Sequence, residues 1–187
     1  MYRQEIKIPK DRVGALIGKD GELKKQLEKK TKTKIMVDSE TGDVTIEGED
    51  PVILYSLKDV VLAVGRGFNP QIAKQLLKED VLLEIIHIQD YAGKSRKKLD
   101  RLRGRVIGAK GKSRNMIEQL SDTNVSVYGK TVAIIGEPEK VEMARHAVDA
   151  LLLGSPHGNV YKWLQDKRRE LARRMFEDEV INTGDKE

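Results

Sequence analysis

The chain has 187 residues, no cysteine, 35% charged side chains and only 4% aromatic ones. The lack of cysteine excludes disulfides, thiolate zinc sites and thiol nucleophiles, and so few aromatics argue against a recognition surface of stacking rings such as that of an RRM. Lys and Arg outnumber Asp and Glu by 35 to 30, a net charge of +5 that favours a polyanionic partner.

The N-terminal residues Met1 to Glu5 run directly into an alternating pattern without the apolar stretch of a signal peptide, and nothing approaches a membrane span. A cytoplasmic protein with no membrane partner is expected. Gln4 to Ile8 alternates polar and apolar residues, as a half-buried strand does. Val13 to Ile17 predicts a short helix that stops at Gly18. A second helix opens at Gly21 and carries Leu23 and Leu27 on one face. Ile35 to Val37 and Val44 to Ile46 read as strands joined by the turn residues Asp38 to Gly42. Asp50-Pro51 then supplies a helix cap followed by proline at the first helical position, and the helix it opens runs through Val52, Leu57, Val60, Val61 and Val64.

Gly65 to Pro70 ends that helix. Gln71 to Lys78 follows as an amphipathic connector with Ile72, Ala73, Leu76 and Leu77 inward, which implies packed domains, since a flexible tether would be rich in Gly and Ser. The same order then recurs. A strand lies in Leu82 to Ile88, a helix over about Leu99 to Ile107, and a second helix is lined by Met116, Ile117 and Leu120. Strands follow at Val125 to Val127 and Val132 to Ile135, and then a helix with Val141, Ala144, Val148, Leu151 and Leu152.

The recurrence is a duplication. At an offset of 90 residues, Ile17-Gly18-Lys19-Asp20-Gly21 falls on Ile107-Gly108-Ala109-Lys110-Gly111, and Ile35-Met36-Val37 falls on Val125-Ser126-Val127. After a gap of two in the loop, Val44 to Gly48 falls on Val132 to Gly136. A repeat this long is a repeated domain rather than a solenoid unit.

A Gly-x-x-Gly turn between two helices gathers free backbone amides and a positive helix end at one point, where a phosphate can sit. Glycine permits positive φ and close approach of a nucleotide backbone. A single such turn is an ordinary helix connection, but two at matched positions in a repeated strand-helix-helix-strand-strand-helix order resemble the KH domain, whose loop clamps about four nucleotides. The implied fold is α+β, two tandem type I KH domains, each a three-stranded sheet with helices on one face. The expected division is 1–68 and 81–154 for the domains, 69–80 for the helical connector, 155–181 for a basic helix and 182–187 for a disordered tail.

The candidate RNA-binding residues are Gly18, Lys19, Asp20, Gly21 and Lys24 in the first copy. In the second they are Arg103, Arg105, Gly108, Ala109, Lys110, Gly111, Lys112 and Arg114. Ile17, Ile35 and Val37, with Ile107, Val125 and Val127, are expected to form apolar floors for bases. From Lys94 to Arg114 ten basic residues face one acid, Asp100, whereas the first loop mixes lysines with Asp20, Glu22, Asp38, Glu40 and Asp43. The second domain is therefore expected to supply more of the affinity. Neutralising about five phosphates gives log affinity a slope of about −3.5 against log salt.

Gly108 to Ser113 imitates the end of a P-loop, but Val106 stands where its first glycine belongs and a helix precedes it instead of a strand. The carboxylates Asp38, Glu40 and Asp43 have no His or Cys companions and read as turn residues, and His87, His146 and His157 share no spacing. No catalytic residue, metal or cofactor is expected. Lys162 to Met175 reads as a basic amphipathic helix whose Trp163 packs on its own domain.

Gly65-Arg66-Gly67-Phe68, Arg103 to Lys112 and above all Leu153-Gly154-Ser155-Pro156-His157-Gly158-Asn159-Val160-Tyr161 resemble the Dim/Krr-type ribosome-assembly KH proteins over nearly the whole chain. The archaeal forms are the nearer match, because the first loop keeps both glycines. The resemblance implies a role at the 3′ end of 16S rRNA in the small ribosomal subunit. It also implies a Nob-type endonuclease and the alpha subunit of translation initiation factor two as partners. A scaffold that docks such proteins and touches RNA only incidentally is the alternative.

Overall fold

The computed structural model of the chain describes residues 1–184, with side chains to residue 177. Two α+β units of the same topology follow one another. The first comprises β1 (Tyr2–Lys7), α1 (Lys10–Ile17), a 3₁₀ turn (Lys19–Gly21), α2 (Glu22–Thr31), β2 (Lys34–Val37), β3 (Asp43–Gly48) and α3 (Pro51–Gly65). A connector of α4 (Pro70–Ala73) and a 3₁₀ turn (Lys74–Leu77) leads to β4 (Leu82–His87), α5 (Gln89–Ala92), α6 (Arg96–Ile107), a 3₁₀ turn (Ala109–Gly111), α7 (Lys112–Ser121), β5 (Asn124–Tyr128), β6 (Thr131–Gly136), α8 (Pro138–Leu152) and α9 (His157–Gly184).

Each sheet is antiparallel with its last strand in the centre, in the orders β1-β3-β2 and β4-β6-β5. The register places Ile6 opposite Val44 and Ile35 opposite Ile46, and the second copy reproduces the latter pair as Val125 opposite Ile134. Strand alternation sends Val44 and Ile46 inward, both fully buried, and Asp43 outward. Asp50 caps α3 as expected, its carboxylate accepting from the backbone N–H of Val52 at 2.8 Å and of Ile53 at 3.3 Å.

The two sheets differ on their far faces. In β6 every residue from Thr131 to Ile135 is buried. Val132 and Ile134 belong to the core of the second unit, while Ala133 and Ile135 join the core of the first, with Leu83 and Ile85 of β4 packed against it. A strand apolar on both faces is one covered on both faces. α3 is correspondingly apolar nearly all round, because it lies between its own sheet and the connector, where Ala73 and Leu76 are buried. The joint is tightened by Ser126 Oγ, which donates to the Arg66 carbonyl at 2.8 Å, and by a hydrogen bond from the Tyr128 hydroxyl to Asp11. Gly67 passes so close that a β-carbon there would lie 2.8 Å from Ser126 Oγ. The units are packed together, as the amphipathic connector implied.

One element went unread in the sequence, and another starts earlier than expected. α5 is an additional turn, and α6 begins at Arg96, where Ser95 Oγ accepts from the Lys98 N–H at 3.2 Å, rather than near Leu99. α9 docks through Val160 and the fully buried Leu164, four residues apart, and through Trp163, whose ring stacks on His146 at 4.2 Å. Burying a leucine of this kind contributes about 1.5–3 kcal/mol, so the first half of α9 is part of the second unit. Of the tail expected over 182–187, helix α9 reaches Gly184 and residues 185–187 lie outside the described residues. Among the described residues no helix is long and apolar enough to cross a membrane.

Candidate nucleic-acid interface

The two Gly-x-x-Gly loops have the same backbone. Gly18 and Gly108 adopt φ/ψ of 75/174° and 72/174°, and their N–H groups close α1 and α6 on Gly14 and Gly104. Asp20 and Lys110 follow at φ 53° and 52°, then Gly21 and Gly111 at 73° and 77°. A non-glycine residue held left-handed costs about 1–2 kcal/mol, and both copies retain one at the same place. The first glycine is also required sterically. A β-carbon at Gly18 would sit 2.7 Å from Leu23 Cβ, and one at Gly108 would sit 2.7 Å from both Cβ and N of Ser113. The second glycine faces open space, with nothing within 4 Å of a β-carbon at Gly111.

That opening matters because Gly21 and Gly111 are the N-caps of α2 and α7, and neither helix has a side-chain cap. α3, α4 and α6 are capped by Asp50, Asn69 and Ser95, while α1, α5 and α8 also lack a side-chain cap but do not open behind a glycine. Uncapped N–H groups at the positive end of a helix, approached over a glycine, form an anion-binding geometry. Lys19, Asp20, Ala109, Lys110 and Lys112 are exposed on these loops.

Behind each loop, the next strand is tied to the second helix in the same way. Glu28 Oε1 accepts from the Ile35 N–H at 2.7 Å, and Glu118 Oε1 accepts from the Val125 N–H at 2.7 Å. Lys24 lies 3.6 Å from Glu28, and Arg114 Nε lies 3.9 Å from Glu118. Both expected RNA contacts are therefore partly engaged in holding this carboxylate. The tie fixes strand to helix, and with it the groove between them.

Two sequence expectations are corrected. Ile35 and Val125, expected to be floor residues, are buried at 0% and 3% exposure. They point under the helices into the core, which leaves Ile17 and Val37, with Ile107 and Val127, at the partly exposed edge. Arg105 is turned away from the loop. Its Nε donates to the Leu151 carbonyl at 2.9 Å and its Nη2 to the Ser155 carbonyl at 2.6 Å, closing the C-terminal end of α8. Arg12 does the same for α3 through the carbonyls of Val64 and Phe68, both at 2.9 Å. The aligned positions are Leu102 and Ala15, so the two copies perform one task from positions one helical turn apart.

The basic run is also divided. At about 100° per residue, the buried Leu99, Leu102 and Val106 place Arg96 and Arg103 on the flank of α6 that carries Ile107. Lys98, Arg101 and Arg105 fall on the flank facing α8. Arg103 pairs with Asp100 at 3.2 Å. The cations immediately at the second loop are thus Lys110, Lys112 and Arg114, with Arg103 behind them.

The loops that follow β2 and β5 sharpen the contrast. In the first copy Asp38 Oδ1 accepts from the Glu40 and Thr41 N–H groups at 2.8 and 3.1 Å, and these bonds hold its pKa below the ordinary carboxylate value. Asp43 is likewise lowered, chiefly by the Thr41 hydroxyl. The carboxylates are committed to a turn. In the second copy the turn shrinks to Gly129-Lys130, with Tyr128 paired to Thr131, so a lysine replaces three acids.

Family comparison agrees with this geometry. A model described as KH domain matches residues 3–62, and one described as eukaryotic type KH-domain (KH-domain type I) matches residues 82–169. A KH domain-containing protein of Methanocaldococcus jannaschii is 50% identical over 92% of this chain and 77% of its own length. Dim2p from Pyrococcus horikoshii is 51% identical with a TM-score of 0.82, over 89% of this chain and 99% of that one. The chain belongs to the Dim2 family of KH proteins. The family extends to a pre-rRNA-processing protein PNO1 of Debaryomyces hansenii, 33% identical over 83% of this chain and 58% of that protein. The Dim2-type chain solved in a complex with a/eIF2alpha and rRNA from Pyrococcus horikoshii is 50% identical with a TM-score of 0.84, over 90% of this chain and 95% of that one.

Sequence reasoning missed Glu28 and Glu118, whose offset of 90 could have found them, and Ser113. Ser113 Oγ is buried without a hydrogen-bond partner directly behind Gly108, where the first copy has Leu23.

Proposed function

We propose that this Dim2-family chain binds single-stranded RNA through its two Gly-x-x-Gly loops, with Gly108 to Gly111 as the principal clamp, and that it acts in assembly of the small ribosomal subunit at the 3′ end of 16S rRNA. One observation carries this reading. The same left-handed loop occurs twice, each time over a helix end without a side-chain cap, and the second copy is ringed by Lys110, Lys112 and Arg114. Gly18, Lys19, Asp20, Gly21 and Lys24 form the weaker or more selective clamp, because Asp38, Glu40 and Asp43 lie on the loop after β2.

The rRNA and the alpha subunit of initiation factor two are supported as partners by the Pyrococcus complex, and processing of pre-rRNA by the naming of the fungal relatives. A Nob-type endonuclease fits the same setting as the enzyme that such a factor positions. The chain itself is read as non-catalytic. The Asp38 carboxylate on the loop after β2 is spent on a turn, and the Gly-Lys-Ser segment follows helix α6 where a P-loop would follow a strand.

Ultraviolet crosslinking followed by sequencing of the bound RNA tests the assignment. Reads should concentrate at the 3′ end of small-subunit rRNA. Reads spread over unrelated transcripts would overturn the rRNA assignment, and protein contacts that survive nuclease while crosslinks are absent would favour the scaffold alternative.

A further inference from the structure

The division of the basic run leaves cations that the loops do not use. Lys98 and Arg101 lie on the α8-facing flank of α6, both exposed, and neither forms an ion pair among the described residues; the helix's one pair is Arg103 with Asp100. They border a cleft of about 770 Å³ between α6 and the end of α8, lined also by Tyr91, Leu102, Leu152 and Leu153, with Asp90 its one acid. Leu153 is 77% exposed, unusual for a leucine beside a helix end whose neighbours Leu151 and Leu152 are buried. The Arg105 clamp fixes the shape of this corner by holding the carbonyls of Leu151 and Ser155. Tyr91 fixes its other wall by donating to Asp149 at 2.7 Å.

We infer that this cleft is a second RNA-contacting subsite, which takes the segment of strand that flanks the nucleotides held by the loop. The inference rests on the RNA reading above. Two unpaired cations offer a phosphate its counter-charge, and the adjoining exposed Leu153, backed by the buried Leu152, offers a base face the contact that scarce aromatics do not supply. About 14 Å of helix separates Lys98 from Ile107, and Arg101 lies between them along the axis. The loop clamps about four nucleotides, so a strand must be longer than that to reach the cleft. An acidic protein segment is a poorer fit, because the exposed Leu153 lies beside only two free cations on a single short face.

The test compares two RNAs drawn from the 3′ end of small-subunit rRNA, one of about five nucleotides that fills the clamp and one of about twelve that extends it to either side. Binding is measured against salt for the full chain and for Lys98→Glu with Arg101→Glu. The longer RNA should lose about tenfold in affinity, and its salt slope should become shallower by about 1.4, the value for two phosphate contacts on a single strand. The shorter RNA should be unaffected. Equal loss on both RNAs, or no change in the slope for the longer one, would overturn the subsite. Should the double reversal lower the melting temperature, Lys98→Gln with Arg101→Gln must show the same length dependence with a smaller loss. If the unaltered chain bound neither RNA, the RNA reading itself would fail, and this inference with it.

Discussion

The two KH copies share a backbone and differ in what surrounds it. Both hold a left-handed non-glycine residue between two glycines, both tie strand to helix through a glutamate, and both close the last helix with an arginine. Around the first loop, however, lysines are interspersed with acids, and behind it Leu23 fills the space. Around the second, lysines and arginines stand with few acids, a lysine occupies the facing turn, and the buried hydroxyl of Ser113 has no partner. The shared features are those the loop geometry demands. The differing ones set how strongly each loop attracts a phosphate, so duplication preserved the mechanical part and let the electrostatic part diverge.

The largest expected effect breaks the comparison directly. Lys110→Asp with Lys112→Asp should lower RNA affinity by about a hundredfold or more at low salt, with circular dichroism unchanged, whereas Lys19→Asp with Lys24→Asp should cost only several-fold. Equal losses in fluorescence anisotropy titrations would show that the copies are equivalent after all.

Next comes stability within one loop. Gly108→Ala forces a β-carbon to 2.7 Å from Ser113 at positive φ and should destabilise by about 3 kcal/mol from strain and overpacking together. Gly111→Ala meets no atom within 4 Å and should cost about 1 kcal/mol of conformational strain. Denaturant titration separates the two.

Arg105→Ala and Arg12→Ala should each cost about 1–3 kcal/mol, because each strands a partly buried carbonyl, that of Ser155 or of Phe68, while Leu151 and Val64 keep the backbone N–H of Gly154 and Gly67. Arg105→Ala should leave affinity for a clamp-length RNA nearly unchanged, and a loss there equal to that of the Lys110 and Lys112 reversal would restore Arg105 to the loop. Ser113→Ala removes a buried hydroxyl that has no partner and should be neutral or stabilising by up to about 1 kcal/mol; a loss of stability would point to an interaction of that hydroxyl.

The smallest effect concerns α5, which the first copy lacks. The Tyr91 hydroxyl is pushed up to about 12, first by desolvation and then by its hydrogen bond to Asp149. A pKa raised by folding means that the protonated phenol is favoured in the native state. The contribution is therefore complete below the ordinary value near 10 and is lost as pH rises from 10 toward 12. Tyr91→Phe should flatten the alkaline fall in melting temperature across that interval.

Much of this was legible in the sequence for a physical reason. The repeat, the element order, the helix-ending glycines and the Asp50 cap depend on residues within a few positions of one another, and local geometry answers to local sequence. The Ser95 cap of α6 was not read, because the run of basic residues after it lacks the apolar periodicity that marks a helix start. The apolar run Val132 to Ile135, where β3 alternates, was the trace left in the sequence by a sheet covered on both faces.

Other properties needed the packed chain. Ten cations between Lys94 and Arg114 form one run in the sequence, but a helix winds them around its axis, and which flank faces the loop depends on where Leu99, Leu102 and Val106 are buried. Arg105 lies three residues before Gly108 and still points elsewhere, because the carbonyls at the end of α8, distant in sequence, are its nearest acceptors. The sequence alone determined that this chain carries two Gly-x-x-Gly loops of unequal charge. Only the tertiary structure decided which cations stand beside those loops, since a side chain's partner is set by what packs beside it.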